Sequence, residues 1–201
     1  GLDPTNGDPM GYLNGVKSNN VTAIIAGTLP DSMVYHGPSR PTFFGSLRNN
    51  FSFHGWSLSF NLVYKFNYYF RRNTISNVTT IAAWNLHKDY YKRWQQPGDE
   101  LHTTVPSLQY PPINANRSLF YSLSDAVVEK GDHIRLQDIS ISYNIPESVQ
   151  KKIGVKNLQV YSYLNNIGIL WKANRQNLDP DVYANNNPIP FTIAFGIKTS
   201  F

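Results

Sequence analysis

The sequence predicts an all-β fold: antiparallel, up-and-down strands, about five in number, forming the carboxyl-terminal wall of a large transmembrane β-barrel with long extracellular loops. Three observations predict it. Apolar residues recur at every second position over long runs, the pattern of strands with one apolar and one polar face. Aromatics make up 14% of the 201 residues, with 13 Tyr and 11 Phe, a surplus that suits strands and membrane-interface girdles. Connections alternate long and short, as they do where turns lie on one side of a barrel wall and loops on the other.

Taken in order, residues 1–41 crowd the turn signals Asp3-Pro4, Asn6-Gly7, Asp8-Pro9 and Asn14-Gly15 and read as a long surface loop. Within it, Val21 to Ile25 has room for one short strand or helical turn. Over 42–53, Phe43, Leu47, Phe51 and Phe53 share one parity and Phe44, Ser46, Arg48, Asn50 and Ser52 the other, which predicts a strand closed by a His54-Gly55 turn. The strongest alternation fills 56–71. Trp56, Leu58, Phe60, Leu62, Tyr64, Phe66, Tyr68 and Phe70 oppose Ser57, Ser59, Asn61, Val63, Lys65, Asn67 and Tyr69. Such a strand is long for a globular sheet, and it exceeds the roughly 9–11 tilted residues that cross a bilayer. Trp56 at one end and Tyr68 and Phe70 at the other put aromatics where two interfaces would lie.

Residues 73–130 break the pattern and read as a long loop, with Trp84 to Trp94 suited to a short helix. A strand over 132–146 carries Ile139, Ile141, Tyr143 and Ile145 on one face. Ile134-Arg135-Leu136 switches parity, which points to a bulge, and Pro146 ends the strand. Glu147 to Gly154 reads as one helical turn closed by Gly154. A strand over 156–169 sets Leu158, Val160 and Leu164 against Gln159, Tyr161 and Tyr163, leaving open which row meets lipid. After the polar loop 172–188, strand 190–201 carries Phe191, Ile193, Phe195, Ile197 and Phe201 in one row, with Thr199 its polar member. We read those five apolar residues as the barrel-assembly signal. About five strands cannot close a cylinder, so further strands are expected from a longer protein.

Composition excludes several classes. No run approaches the roughly 18 apolar residues of a membrane helix. There is no cysteine, hence no disulfide scaffold and no thiol chemistry. The chain opens Gly1-Leu2-Asp3-Pro4, without a signal sequence, and is expected to be a fragment lacking any plug domain. Net charge is +5, but the basic residues are dispersed, against a nucleic-acid surface.

Several stretches resemble one family. They are Gly1 to Pro9, Gly37 to Gly45, Tyr91-Lys92-Arg93-Trp94 with Pro97-Gly98-Asp99, Glu129 to Ser140, Tyr143-Asn144-Ile145-Pro146, Asn165-Asn166 and the Phe-ended strand. In this order they resemble the SusC/RagA-like TonB-linked outer-membrane transporters of Bacteroidetes. The resemblance implies a plugged barrel of about 22 strands in the cell outer membrane, importing glycans or peptides. It also implies energy from the TonB complex, contacted through an absent amino-terminal part, and a SusD-like surface lipoprotein as partner.

No catalytic constellation stands out: there is no nucleophile elbow, P-loop or dinucleotide fingerprint, so no enzyme and no cofactor is expected. The five His residues are scattered, and Asp3 to Asp8 misses calcium-loop spacing because Gly7 falls at loop position five rather than six. Asp179-Pro180-Asp181 also reads as a turn, so no metal is assigned. Trp84, Tyr91 and Trp94 have flat faces suited to stacking on sugar, although a loop this long also needs a packed core of its own, and that is the default role. The alternatives are a soluble β-sandwich carbohydrate-binding module, with the Trp56–Phe70 row buried under a second sheet, and a polysaccharide-processing enzyme, which needs a convergent acid pair.

Overall fold

Strands β3 (Phe43–Phe53), β4 (Trp56–Phe66), β7 (His133–Asn144), β8 (Asn157–Lys172) and β9 (Thr192–Ser200) form one antiparallel sheet in the order β3-β4-β7-β8-β9. The computed structural model describes residues 1–76, 80, 87–111, 114–183 and 187–200. It divides into two units, Gly37–Phe70 with Lys130–Phe201, which holds this sheet, and Gly1–His36 with Arg71–Glu129.

Register sorts the faces of the sheet. Phe51 pairs with Leu58, Leu58 with Ile141, Ile141 with Ser162 and Ser162 with Phe195. Phe53, Trp56, Tyr143, Val160 and Ile197 form the next rung of the same parity. Leu158, Val160 and Leu164 therefore belong to the apolar row, which the alternation in β8 had left open. This row is exposed along the sheet, from Phe53 at 74% to Phe195 at 80%. No second sheet covers it among the described residues, so the β-sandwich expectation, which needs the Trp56 row buried, is not met.

The parity switch in β7 is a bulge. Asn61 pairs with Asp138 and Leu62 with Leu136, so Gln137 is skipped. The extra residue keeps Ile134 and Leu136 on the apolar face and turns His133 and Arg135 to the polar one.

Short connections lie at one end of the sheet. His54 and Gly55 have φ of 46° and 86°, the left-handed pair of a two-residue hairpin turn. A single helix, Glu147–Ile153, closes on Gly154 in the left-handed conformation, which spares a side chain the strain of that geometry.

The sheet differs most from expectation after Phe66, while β8 runs on to Lys172. The alternating row was expected to run to Phe70, but β4 stops at Phe66. Asn67 takes φ 60°, its N–H donates to Asp132 at 2.7 Å and its amide to Thr42 at 2.7 Å. Asn tolerates the left-handed region because its side chain bonds locally. Beyond this kink Tyr68 and Phe70 are buried and leave the exposed row; two short strands, β5 (Tyr69–Arg71) and β6 (Val128–Lys130), come before β7.

The other unit is built from loops. It contains strands β1 (Gly11–Leu13) and β2 (Val16–Ser18), paired as a hairpin, and helices α1 (Val21–Gly27) and α2 (Ala115–Leu123). Asn20 caps α1 through Ala23 N–H, and Asn114 caps α2 through Asn116 N–H, each satisfying a free helix-end donor. Ile75, Val105, Tyr121 and Val127 form a small core, with Tyr90 and Ala126 against it. Among the described residues no helix is long and apolar enough to cross a membrane.

Candidate functional site

At the end of the sheet that carries the long connections, the polar face gathers charge. Lys65, His133 and Lys172 form one rung across β4, β7 and β8, with Arg135 two residues further along β7. The segment 174–183 lies on them. Arg135 Nη2 donates to both oxygens of Asp179 at 2.6 Å, and Lys65 Nζ to Asp181 Oδ1 at 2.6 Å. His133 Nε2 and Arg135 Nε each stand 3.3 Å from Asp181 Oδ2. Gly131 O lies 2.9 Å from His133 Nδ1; a carbonyl only accepts, so Nδ1 carries a proton.

Burial opposes ionisation of Asp181, but the close approach of His133 and the hydrogen bond from Lys65, with their charge, outweigh it and hold its carboxyl well below the usual range. Burial, then the charges of Asp181, Asp132 and Asp179, push the Tyr68 hydroxyl upward, so it stays protonated beside His133 Nδ1 at 3.2 Å. Local turns shape the acidic segment. Asn174 and Leu178 exchange hydrogen bonds at 3.1 Å, and Asp181 N–H donates to Asp179 at 3.0 Å.

Midway along the polar face, Arg48 and Asn61 both donate to Asp138 Oδ2 at 3.1 Å. Asp138 is buried and Arg48 half exposed. This ties β3, β4 and β7 together at the bulge.

The loop-built unit carries an open groove of about 590 Å³, lined by Asn6, Asp8, Trp94, Ser107, Leu108 and Tyr110 among others. Arg117 from α2 braces its floor, with Nε on Asp8 at 2.6 Å and Nη2 on Ser107 Oγ at 2.8 Å. Nearby, Asp3 accepts from Thr5 N–H and hydroxyl and from Asn19; the Thr5 bonds foremost hold its carboxyl below the ordinary value. The oxygens of Asp3 and Asp8 thus serve the turn and Arg117. Among the described residues no group of three or more His, Cys, Asp or Glu is placed to hold a metal.

Deeper in that unit, Arg72 Nη1 donates to Asp89 at 2.5 Å and Nη2 to Tyr121 at 3.2 Å, with both charges buried. Burial works against the Arg72 charge, but Asp89 outweighs it and keeps the guanidinium protonated. Burial, helped by Arg72 and Lys88 against the pull of Asp89, lowers His87.

The candidate stacking residues separate. Trp94 is buried, its ring closing over Gly7, and its indole N–H donates to Glu100 at 3.1 Å. Tyr91 is 80% exposed, edge-on to Tyr90 at 5.8 Å. Trp84 lies outside the described residues. Ile193, Phe195 and Ile197 stand exposed on β9 with Phe191 just before it, while Phe201 lies outside the described residues. Sequence reasoning missed the charged cluster. Lys65 already stood in the polar row of its strand, but its partner Asp181 is 116 residues away, and no spacing rule reaches that far.

No family profile matches the chain. It is 26% identical over 207 aligned positions to a curated protein described as TonB-dependent receptor P26 of Formosa agariphila, an alignment covering 94% of the chain and 19% of that protein. Its fold is similar to two structures of the RagAB peptide importer. For the open-open state the TM-score is 0.66 at 18% identity, covering 100% of this chain and 21% of that one. For the closed-closed state it is 0.65 at 19% identity, covering 100% and 22%. The chain spans about one-fifth of the length of these relatives. Sequence and fold both bear out the resemblance to SusC/RagA-like TonB-linked receptors.

Proposed function

We propose that this chain is carboxyl-terminal wall and outer loop of a TonB-energised importer in the cell outer membrane, taking up glycans or peptides together with a SusD-like surface lipoprotein. One observation carries this reading: the sheet leaves Phe51, Phe53, Trp56, Leu58, Phe195 and Ile197 of its apolar row exposed while burying His133, Arg135 and Asp138 on its other side. In water that inversion exposes far more apolar surface than a soluble monomer tolerates. In a bilayer it is the ordinary arrangement, with apolar residues toward lipid and polar residues toward the lumen. The likeness of nearly all of this chain to about one-fifth of a TonB-dependent receptor supports the energy source, and the fold shared with part of a peptide importer supports uptake of a bulky solute.

In this reading the long connections, 67–132 and 173–191, are the outer loops, and Tyr91, exposed on one of them, is the loop aromatic free to meet solute or the lipoprotein. The wall itself performs no chemistry; it supplies a closed polar conduit and a scaffold for those loops. The test is fractionation of cells making the full-length protein, followed by growth of a deletion strain on glycan or peptide as sole nutrient. Recovery in the outer membrane, with loss of growth on one solute class, is expected. Recovery in the soluble periplasm would refute the reading.

A further inference from the structure

We propose that Asn174–Tyr183 is a displaceable acidic strap seated in a carboxylate-binding site on the polar face of the sheet, and that Lys65, His133 and Arg135 receive a ligand carboxylate when the strap leaves. The inference rests on the importer reading only in taking that face as the one a solute reaches.

The site is built in the wall. His133 is fully buried and Arg135 is 4% exposed, so strands and bulge fix both side chains. Charge balance argues for exchange. Two permanent cations, Lys65 and Arg135, face two carboxylates, Asp179 and Asp181. Withdrawing the strap alone would take both carboxylates from Lys65 and from Arg135, whose side chain is 5% exposed beneath it. Another anion taking their place would restore those charge-assisted bonds.

The fit is also incomplete. His133 Nε2 and Arg135 Nε are buried yet make no well-formed hydrogen bond. Both face the single oxygen Asp181 Oδ2 at 3.3 Å without hydrogen-bond alignment. Buried donors normally find partners, so a carboxylate free of the strap's backbone has bonding capacity to gain here. Lys172, on the same rung as Lys65 and His133, extends the positive row for a ligand carrying more than one acid. The chemistry selected is a polycarboxylate, whether acidic peptide or uronic-acid glycan.

The test uses the full-length receptor purified in detergent. Calorimetry at fixed ionic strength would follow tri-aspartate and tri-galacturonate, with tri-asparagine amide and a neutral galactose trisaccharide as controls. Asp179→Asn with Asp181→Asn should raise affinity for at least one acidic probe about tenfold, because the strap no longer competes, and adding Arg135→Gln should abolish the gain. Gain with tri-aspartate alone assigns a peptide source, with tri-galacturonate alone a glycan, and with both a general carboxylate site. Unchanged affinity, or equal binding of the neutral probes, overturns the proposal.

A second measurement needs no variant. Arg175 is exposed within the strap, and trypsin cleavage after it requires local opening. An acidic probe should speed that cut in the wild-type receptor severalfold and leave the neutral probe without effect; an unchanged rate with both acidic probes overturns the strap. Neither measurement involves TonB, the lipoprotein or uptake, so failure here leaves the import reading intact, and failure of uptake leaves this one standing.

Discussion

The two units of this chain solve opposite solvation problems. The loop-built unit buries Ile75, Val105, Tyr121 and Val127 and shields one ion pair, Arg72–Asp89, beneath them. The strand-built unit buries His133, Arg135, Asp138 and Asn166 and leaves Phe51, Phe53, Phe195 and Ile197 bare. Both draw on the same aromatic-rich, charge-poor composition. The difference teaches that burial follows the solvent each surface meets, not the hydrophobicity of the residue. On the importer reading proposed above, one unit meets water and the other hydrocarbon.

The comparison can be broken most forcefully at Arg72. Replacing it with Met leaves Asp89 buried without a cation, and we expect a loss of about 3–5 kcal/mol. Thermal unfolding and protease nicking of 71–129 in the full-length protein would register it. A change near zero would mean that the unit is not dry inside. The next largest effect is expected on the opposite surface. Phe195→Lys alters a side chain that touches almost nothing and should be nearly neutral in water, yet near a bilayer midplane it should cost about 2–4 kcal/mol. Refolding yield into vesicles, set against a detergent-solubilised control, separates the two solvents.

A smaller effect tests how the wall itself packs. Gly196 lies opposite Tyr161, and a Cβ there would sit 2.4 Å from the tyrosine ring. Gly196→Val should therefore cost about 1–3 kcal/mol of overpacking, read as slower barrel assembly, and Tyr161→Ala in the same chain should recover part of it. The mildest test is of pH. Burial lowers His87 in the folded loop unit, so the unfolded chain binds the extra proton and stability rises with pH through the window below about 6.5. His87→Gln should flatten that slope between about pH 5.5 and 7. A slope of the same size in the variant would place its origin elsewhere. Asp181, held low, behaves differently: its contribution is complete above the ordinary aspartate range and is lost only in stronger acid.

By itself the sequence determined the period-two rows, the turn at His54-Gly55, the helix stop at Gly154 and the existence of a bulge near Ile134-Arg135-Leu136. These are local: one residue's allowed φ, or alternation along a single strand, decides each. Tertiary structure alone decided the rest. It placed the bulge at Gln137, because only a paired strand reveals which residue is left over. It assigned Leu158 and Val160 to the apolar face, because rows are ranked by their neighbours. It took Tyr68 and Phe70 out of the exposed row through the kink at Asn67, and turned Trp94 inward over Gly7. Above all, it joined Lys65 to Asp181 and Arg135 to Asp179 across 116 and 44 residues. Charges find each other through space, and a linear pattern holds no record of which distant loop folds back onto which strand.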